Sequence, residues 1–388
     1  MPTPIERTVY FKKEEVEKEK EFYEYITKRN TSKTTSKKLV YVFMNYCNLN
    51  NMRLEELINE ADHEEEKGIR LKKRKINYRL ENFRITLLNN GFATNTIRED
   101  FNKIKTLYRT FGIEIPYLIP FKLPSKQLIY DDVPNKRHIK QAVESANSKL
   151  HKAIILFQFS SCTAIAETNT ITCGMFVKAT EEYHNEVDIN KVIHILQKRE
   201  EEDMIPLFLL ARQKKSNAIE EGYKYYTCCT PEATEYILDY LEDRIQKNGY
   251  LKNKDKLFDI SKGTMGVMYS RINDKNDFGR VGGDRRFFHS HGMRIAGNTA
   301  IGNRDDGDAF SGRKRSTIHE GYFKNNPKEL KNIYKKYIPK LSIGNMEANY
   351  LDIETKQIVN NQVKEAEIKI IGVEKIYSYA HAELTAFK

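Results

Sequence analysis

Cysteine is scarce and unpatterned in this chain. The five residues, at 47, 162, 173, 228 and 229, are an odd number and contain no C-x-x-C pair. That excludes a disulfide framework and a zinc ribbon, and it fits a reducing, cytoplasmic setting. No stretch approaches the roughly 18 uninterrupted apolar residues that a membrane span requires, so no membrane association is expected. The first residues, MPTPIERTVYFKKEEVEKEKEF, are charged from position 6 onward and hold no apolar signal core. Glycines 263, 266, 279, 282 and 283 match neither G-x-G-x-x-G nor a phosphate loop followed by Lys-Ser/Thr, which excludes a nucleotide cradle of either kind. His289 and His291 form an H-x-H with no neighbouring Cys, Asp or Glu to complete a metal site, so no metal is expected.

What is present is a chain of 388 residues, 39% hydrophobic and 11% aromatic. That is enough for two or three domains with real cores. Lys and Arg number 65 against 54 Asp and Glu, a formal net charge of +11. The excess points to a polyanionic partner, nucleic acid first.

The patterning divides the chain. Residues 1–35 are polar and read as a basic arm, helical in part over 14–29. Residues 36–125 read as a small helical bundle: an amphipathic helix at 37–48, a helical face of Leu54, Leu57 and Ile58, and one long helix over about 61–89 stopped at Asn90-Gly91. A further helix opens at a Thr96-Ile97-Arg98-Glu99 capping box. The long helix carries Arg70, Lys72, Lys73, Arg74, Lys75 and Arg79. Like charges this dense repel unless something neutralises them, and DNA phosphates would do so. The prolines of GIEIPYLIPFKLPSK (112–126) mark a linker.

Residues 126–345 read as a mixed domain. HKAIILFQFSS (151–161) is an apolar helix. MIPLFLLA (204–211) and YKYYTCC (223–229) are strand-length runs that suggest a hairpin. Thr230-Pro231 caps the next helix. Residues 261–284 read as a Gly-rich loop, the chain is helical again beyond 288, and Asn326-Pro327 starts another amphipathic helix. Residues 346–388 read as a tail able to dock on a neighbouring subunit. The fold expected is mainly α with a small antiparallel β-sheet.

One stretch concentrates chemistry. His291-Gly292-Met293-Arg294 is an H-x-x-R at a helix start, which puts imidazole and guanidinium on one face. Arg313, in Ser311-Gly312-Arg313, lies 19 residues after Arg294, and Tyr322 follows nine further on. Arg212-Gln213-Lys214-Lys215 supplies further cations in the turn of the hairpin.

This set, in this order and spacing, resembles the tyrosine recombinase (phage integrase) family, in particular its archaeal integrase-like members. The resemblance covers most of the chain. It implies a helical core-binding domain and a catalytic domain closing as a clamp around double-stranded DNA, and a homo-oligomer, a tetramer, on that DNA. It implies a site-specific recombinase or integrase that breaks and rejoins DNA through a 3′-phosphotyrosine, with no metal or other cofactor. Tyr322 corresponds to the nucleophile, His291 and Arg294 to the acid/base and phosphate clamp, and Lys214 or Lys215 to the lysine that protonates the leaving 5′-oxygen.

Two positions depart from the family pattern. Ala164 stands where the first clamp arginine belongs, although Glu167 keeps the acidic position three residues on. Arg313 stands where histidine or tryptophan is usual; it can hydrogen-bond a phosphate but cannot buffer a proton. An impaired relative that binds DNA without chemistry is therefore the alternative expectation.

Overall fold

The computed structural model describes residues 10–118, 129–199, 204–212, 223–282, 285–313 and 326–344. They fall into two compact units that divide at residues 127 and 128. The fold is mostly helical with small antiparallel sheets. Among the described residues no helix is long and apolar enough to cross a membrane.

The first unit contains α1 (Lys13–Lys18), α2 (Lys20–Lys28), α3 (Lys33–Asn50), α4 (Leu54–Glu66), α5 (Lys75–Asn89) and α6 (Thr94–Thr110). Its core joins Phe43 and Tyr46 of α3, Leu57 of α4, Phe83 of α5 and Leu107 of α6. The hydroxyls of Tyr46 and Tyr108 meet at 3.0 Å and tie α3 to α6. Residues 10–28 are not a detached arm. Phe11, Val16, Phe22 and Tyr25 are buried in this core. Asn48 holds the Phe11 backbone from both sides, accepting from its N–H at 2.7 Å and donating to its carbonyl at 3.1 Å. Four apolar side chains scattered among ten charges carried no visible stripe, yet their burial decides the packing.

The long helix expected over 61–89 is broken. Gly68 takes a left-handed φ of +64°, and the Ile69 N–H turns back to the Glu64 carbonyl at 3.1 Å, a glycine-terminated helix end. Leu71–Lys73 then form a single 3₁₀ turn before α5. Helix α6 begins at Thr94, with Ala93 as its N-cap, rather than at Thr96.

The second unit contains α7 (Lys136–Ser145), α8 (Lys149–Ser161), α9 (Ile165–Thr168), α10 (Cys173–Ala179), α11 (Ile189–Gln197), β1 (Leu207–Arg212), β2 (Tyr223–Cys228) and α12 (Pro231–Asn248). It continues with α13 (Lys262–Lys275), β3 (Arg280–Val281), β4 (Arg285–Arg286), α14 (Ser290–Ile301), α15 (Arg304–Phe310), α16 (Pro327–Lys335) and α17 (Ile338–Leu341). Helix α8 is the axis. Ser148 caps it, and every residue from Ala153 to Ser161 is buried. Helices α12 and α14 pack on it.

Strands β1 and β2 pair antiparallel with Leu210 opposite Tyr225 and Arg212 opposite Tyr223. Thr230 caps α12 through its hydroxyl, with Pro231 in the first turn, as the sequence indicates. Residues 262–275 are helical, not a loop. Ser261 caps this helix, and Met265, Met268, Tyr269 and Ile272 recur on one buried face. That face outweighs the cost of two glycines, about 1 kcal/mol each.

Candidate active site

The site is built where the end of α8, the start of α14, the inner face of β1–β2 and the turn after α15 meet. Helix α14 is fixed at its first residue. Ser290 Oγ donates to Gln158 Oε1 at 2.8 Å, and Tyr269 donates to the same oxygen at 2.7 Å. About two helical turns further, Gly297 lets the backbones of α14 and α8 touch. A Cβ there would lie 2.3 Å from the Phe159 carbonyl oxygen and 2.7 Å from Cys162 Sγ. Cys162, at the end of α8, has a left-handed φ of +55°. Burial pushes its thiol up to about 12, so it is no nucleophile at neutral pH.

Arg294 is brought into this junction and is only 3% exposed. Its Nη2 donates to the Ser311 carbonyl at 2.5 Å. Its Nη1 is buried and has no hydrogen-bond partner among the described residues. Burial lowers its pKa, but a guanidinium starts so high that it stays charged. Tyr225, Arg212, Glu167 and Cys162 lie within electrostatic reach of it. Glu167 is 5% exposed, and among the described residues its Oε2 also lacks a partner, as does the buried Tyr225 hydroxyl.

The Ser311–Gly312 turn carries a second guanidinium. Arg212 Nη1 donates to the Gly312 carbonyl at 2.8 Å, one residue beyond the carbonyl that holds Arg294. Gly312 has a φ of +60°, and a Cβ on it would sit 2.4 Å from the Tyr225 ring. Only glycine fits against that ring at this φ.

His291 lies on α14 one turn before Arg294, at the solvent-facing rim. Its pKa is lowered from 6.5, first by burial against the site and then by His289, Arg294, Arg285 and Arg313. At neutral pH it is an uncharged imidazole, able to take a proton. His289, 6.3 Å away ring to ring, turns Nδ1 toward the Phe287 carbonyl at 3.0 Å and leaves Nε2 buried and unpartnered among the described residues.

The structure therefore brings His291 and Arg294 onto one face of α14, as the H-x-x-R spacing indicates. Arg313 is placed at the same turn, but about half exposed and ion-paired with Asp308 at 3.2 Å. Ala164 is the N-cap of α9 and offers only a methyl group beside the site. Tyr322, Lys214 and Lys215 lie outside the described residues. Among the described residues no cluster of His, Cys, Asp and Glu could hold a metal ion.

Sequence reasoning passed over Arg212 as a clamp residue and Tyr225 altogether. The signal for Arg212 is the strand alternation: Phe208 and Leu210 are buried on one face of β1, and Arg212 is next on that face.

The basic segment of the first unit looks different at side-chain level. Arg74 is buried and paired with Glu65 at 2.8 Å. Arg79 and Lys75 share Glu60, at 2.6 and 2.9 Å. Both carboxylates lie on α4, Glu65 in the part that the sequence reading ran on into the cations' helix and Glu60 just before it, so the expected uncompensated row does not exist for these three. Arg70, Lys72 and Lys73 are exposed and have no carboxylate partner among the described residues.

No family model matches the chain, and no curated protein does. Solved structures with a similar fold include an integrase of the Tn1549 transposon in complex with transposon right-end DNA, at TM-score 0.45 and 13% identity over 81% of this chain and 97% of that one. They also include the XerH site-specific recombinase bound to difH substrate, at 0.44 and 12% over 84% and 96%, and a lambda integrase tetramer bound to a Holliday junction, at 0.37 and 12% over 79% and 78%. With identities this low, the functional reading rests on this chain's own side chains.

Proposed function

We propose that the chain is a site-specific DNA recombinase of the tyrosine type, acting on double-stranded DNA as a tetramer. The observation that carries the reading is Arg294: a buried guanidinium with an N–H unpartnered among the described residues, beside a neutral imidazole on the same helix face. A buried charged donor without a partner is expensive, and a phosphate oxygen satisfies it.

In the proposed reaction the Tyr322 phenol oxygen attacks the scissile phosphorus. Its proton passes to the neutral His291 ring. The bond from phosphorus to the 5′-oxygen breaks, and that oxygen takes a proton from the ammonium of Lys214 or Lys215. A 3′-phosphotyrosine and a free 5′-hydroxyl result, so rejoining is the same step reversed and needs no external energy. Arg294 holds a non-bridging oxygen as negative charge grows on it. Arg70, Lys72 and Lys73 bind backbone phosphates elsewhere on the duplex.

Ala164 favours a second reading, a DNA-binding relative without chemistry, because an arginine lost from such a clamp costs roughly a hundred- to thousand-fold in rate. A pool of end-labelled, nicked duplexes of randomised sequence separates the two. Covalent adduct on a denaturing gel, absent from Tyr322→Phe, is the outcome expected of the recombinase. Salt-sensitive binding with no adduct supports the second reading.

A further inference from the structure

We propose that Arg212, projecting from the end of β1, is the second arginine of the phosphate clamp and supplies the positive charge that Ala164 lacks. The inference rests on the strand-transfer reading above.

Arg212 and Arg294 come from different elements, a strand and a helix, and close on successive carbonyls of one turn, those of Gly312 and Ser311. Each spends one N–H bond there. Neither forms an ion pair among the described residues. Two guanidiniums in electrostatic contact repel each other, so holding them at one turn is unfavourable unless an anion lies between. A phosphodiester is such an anion, and its charge rises as the attacking oxygen adds. The five donors of a guanidinium allow each arginine to keep its carbonyl and still face a non-bridging oxygen.

The surroundings force Arg212 into this place. Phe208 and Leu210 bury the inner face of β1, and Arg212 follows them on that face, so its stem runs along the core. Thr227 of β2 anchors the hairpin by donating to the Ser161 carbonyl at 2.8 Å, three residues before Ala164. Tyr225, opposite Leu210 on the hairpin, has Arg212, Arg294 and Glu167, three residues after Ala164, all within electrostatic reach. The strand thus brings its charge to the site from which Ala164 withholds one.

The test compares two substrates of the sequence recovered from wild-type adduct. One has an ordinary scissile phosphodiester, and the other a methylphosphonate, which lacks one non-bridging charge. Arg212→Gln can still donate a hydrogen bond to the Gly312 carbonyl but carries no charge. It is expected to form adduct about a hundredfold more slowly on the phosphodiester, to approach the wild-type rate on the methylphosphonate, and to unfold at the wild-type temperature. Ala164→Arg in that background is expected to restore part of the phosphodiester rate.

Equal losses on both substrates would mean that Arg212 only props the turn, and would overturn the inference. So would an undiminished phosphodiester rate. Neither result touches the recombinase reading, which falls only if the wild-type chain forms no adduct; the inference then falls with it. Should Arg212→Gln fail to fold, Arg212→Lys keeps the charge but not the fork, and the same two substrates decide.

Discussion

Cations crowd together in two regions of this chain, the segment Arg70–Arg79 and the turn around Arg294, and the two are compensated in opposite ways. In the first, Glu60 and Glu65 reach across from α4 and pair with Arg79, Lys75 and Arg74. In the second, Arg294 and Arg212 hold backbone carbonyls, and Arg294 leaves an N–H buried and unmet. A dense run of positive residues in a sequence therefore does not say which of them are open to a phosphate. Pairing occupies Arg74, Lys75 and Arg79 in the first region and leaves Arg70, Lys72 and Lys73 open, while in the second the unmet N–H of Arg294 leaves a demand for an anion.

The largest expected effect tests that contrast directly. Arg294→Ala should slow adduct formation by about a hundred- to thousandfold, measured in single turnover, while duplex affinity changes far less. A variant that cleaves at near the wild-type rate would remove the distinction between the two regions.

Glu60→Gln probes the other side. It frees Arg79 and Lys75 and should lower unfolding free energy by about 1 kcal/mol in urea. It should also tighten duplex binding at low salt, because two cations become available. Unchanged affinity would show that these side chains do not face DNA.

A smaller effect separates members of the run. Lys72→Ala and Lys73→Ala should each flatten the dependence of log affinity on log salt by up to about 0.9. Lys75→Ala should flatten it less. Equal slopes for all three would mean that the carboxylate pairing is irrelevant to binding.

The smallest effect is on pH. His291 has its pKa lowered from 6.5, so the unfolded chain binds the proton more readily than the folded one. Its contribution to stability is then complete above pH 6.5 and declines as pH falls below that value. The cleavage rate should hold through pH 6.5 and fall only at lower pH, with the ring titrating by NMR over the same range. A midpoint above 6.5 would contradict the desolvated, cation-flanked placement of the ring.

Much of this was legible in the sequence. The Thr230-Pro231 cap, the apolar runs of the hairpin and the H-x-x-R helix face are local signals, and their elements stand as read. The break at Gly68 is local too, but a run of good helix formers on both sides masks it. The helix Lys262–Lys275 was hidden by its glycines, and the burial of Phe11 and Val16 by the charges around them. In both cases tertiary packing overrides local composition. Strand alternation puts Arg212 on the inner face of β1, but its partner, a carbonyl one hundred residues away, is not legible in the sequence. Only the fold reveals that Arg212 and Glu167, three residues after Ala164, both lie within electrostatic reach of Arg294.

The missing side chain at Gly297 has a mechanical consequence. With bare backbone of α14 seated on α8, neither helix can slide or roll past the other without collision, so Arg294 is a fixed post rather than a moving part. A substitution at Gly297 should therefore disturb the seat of Arg294 without touching the arginine itself.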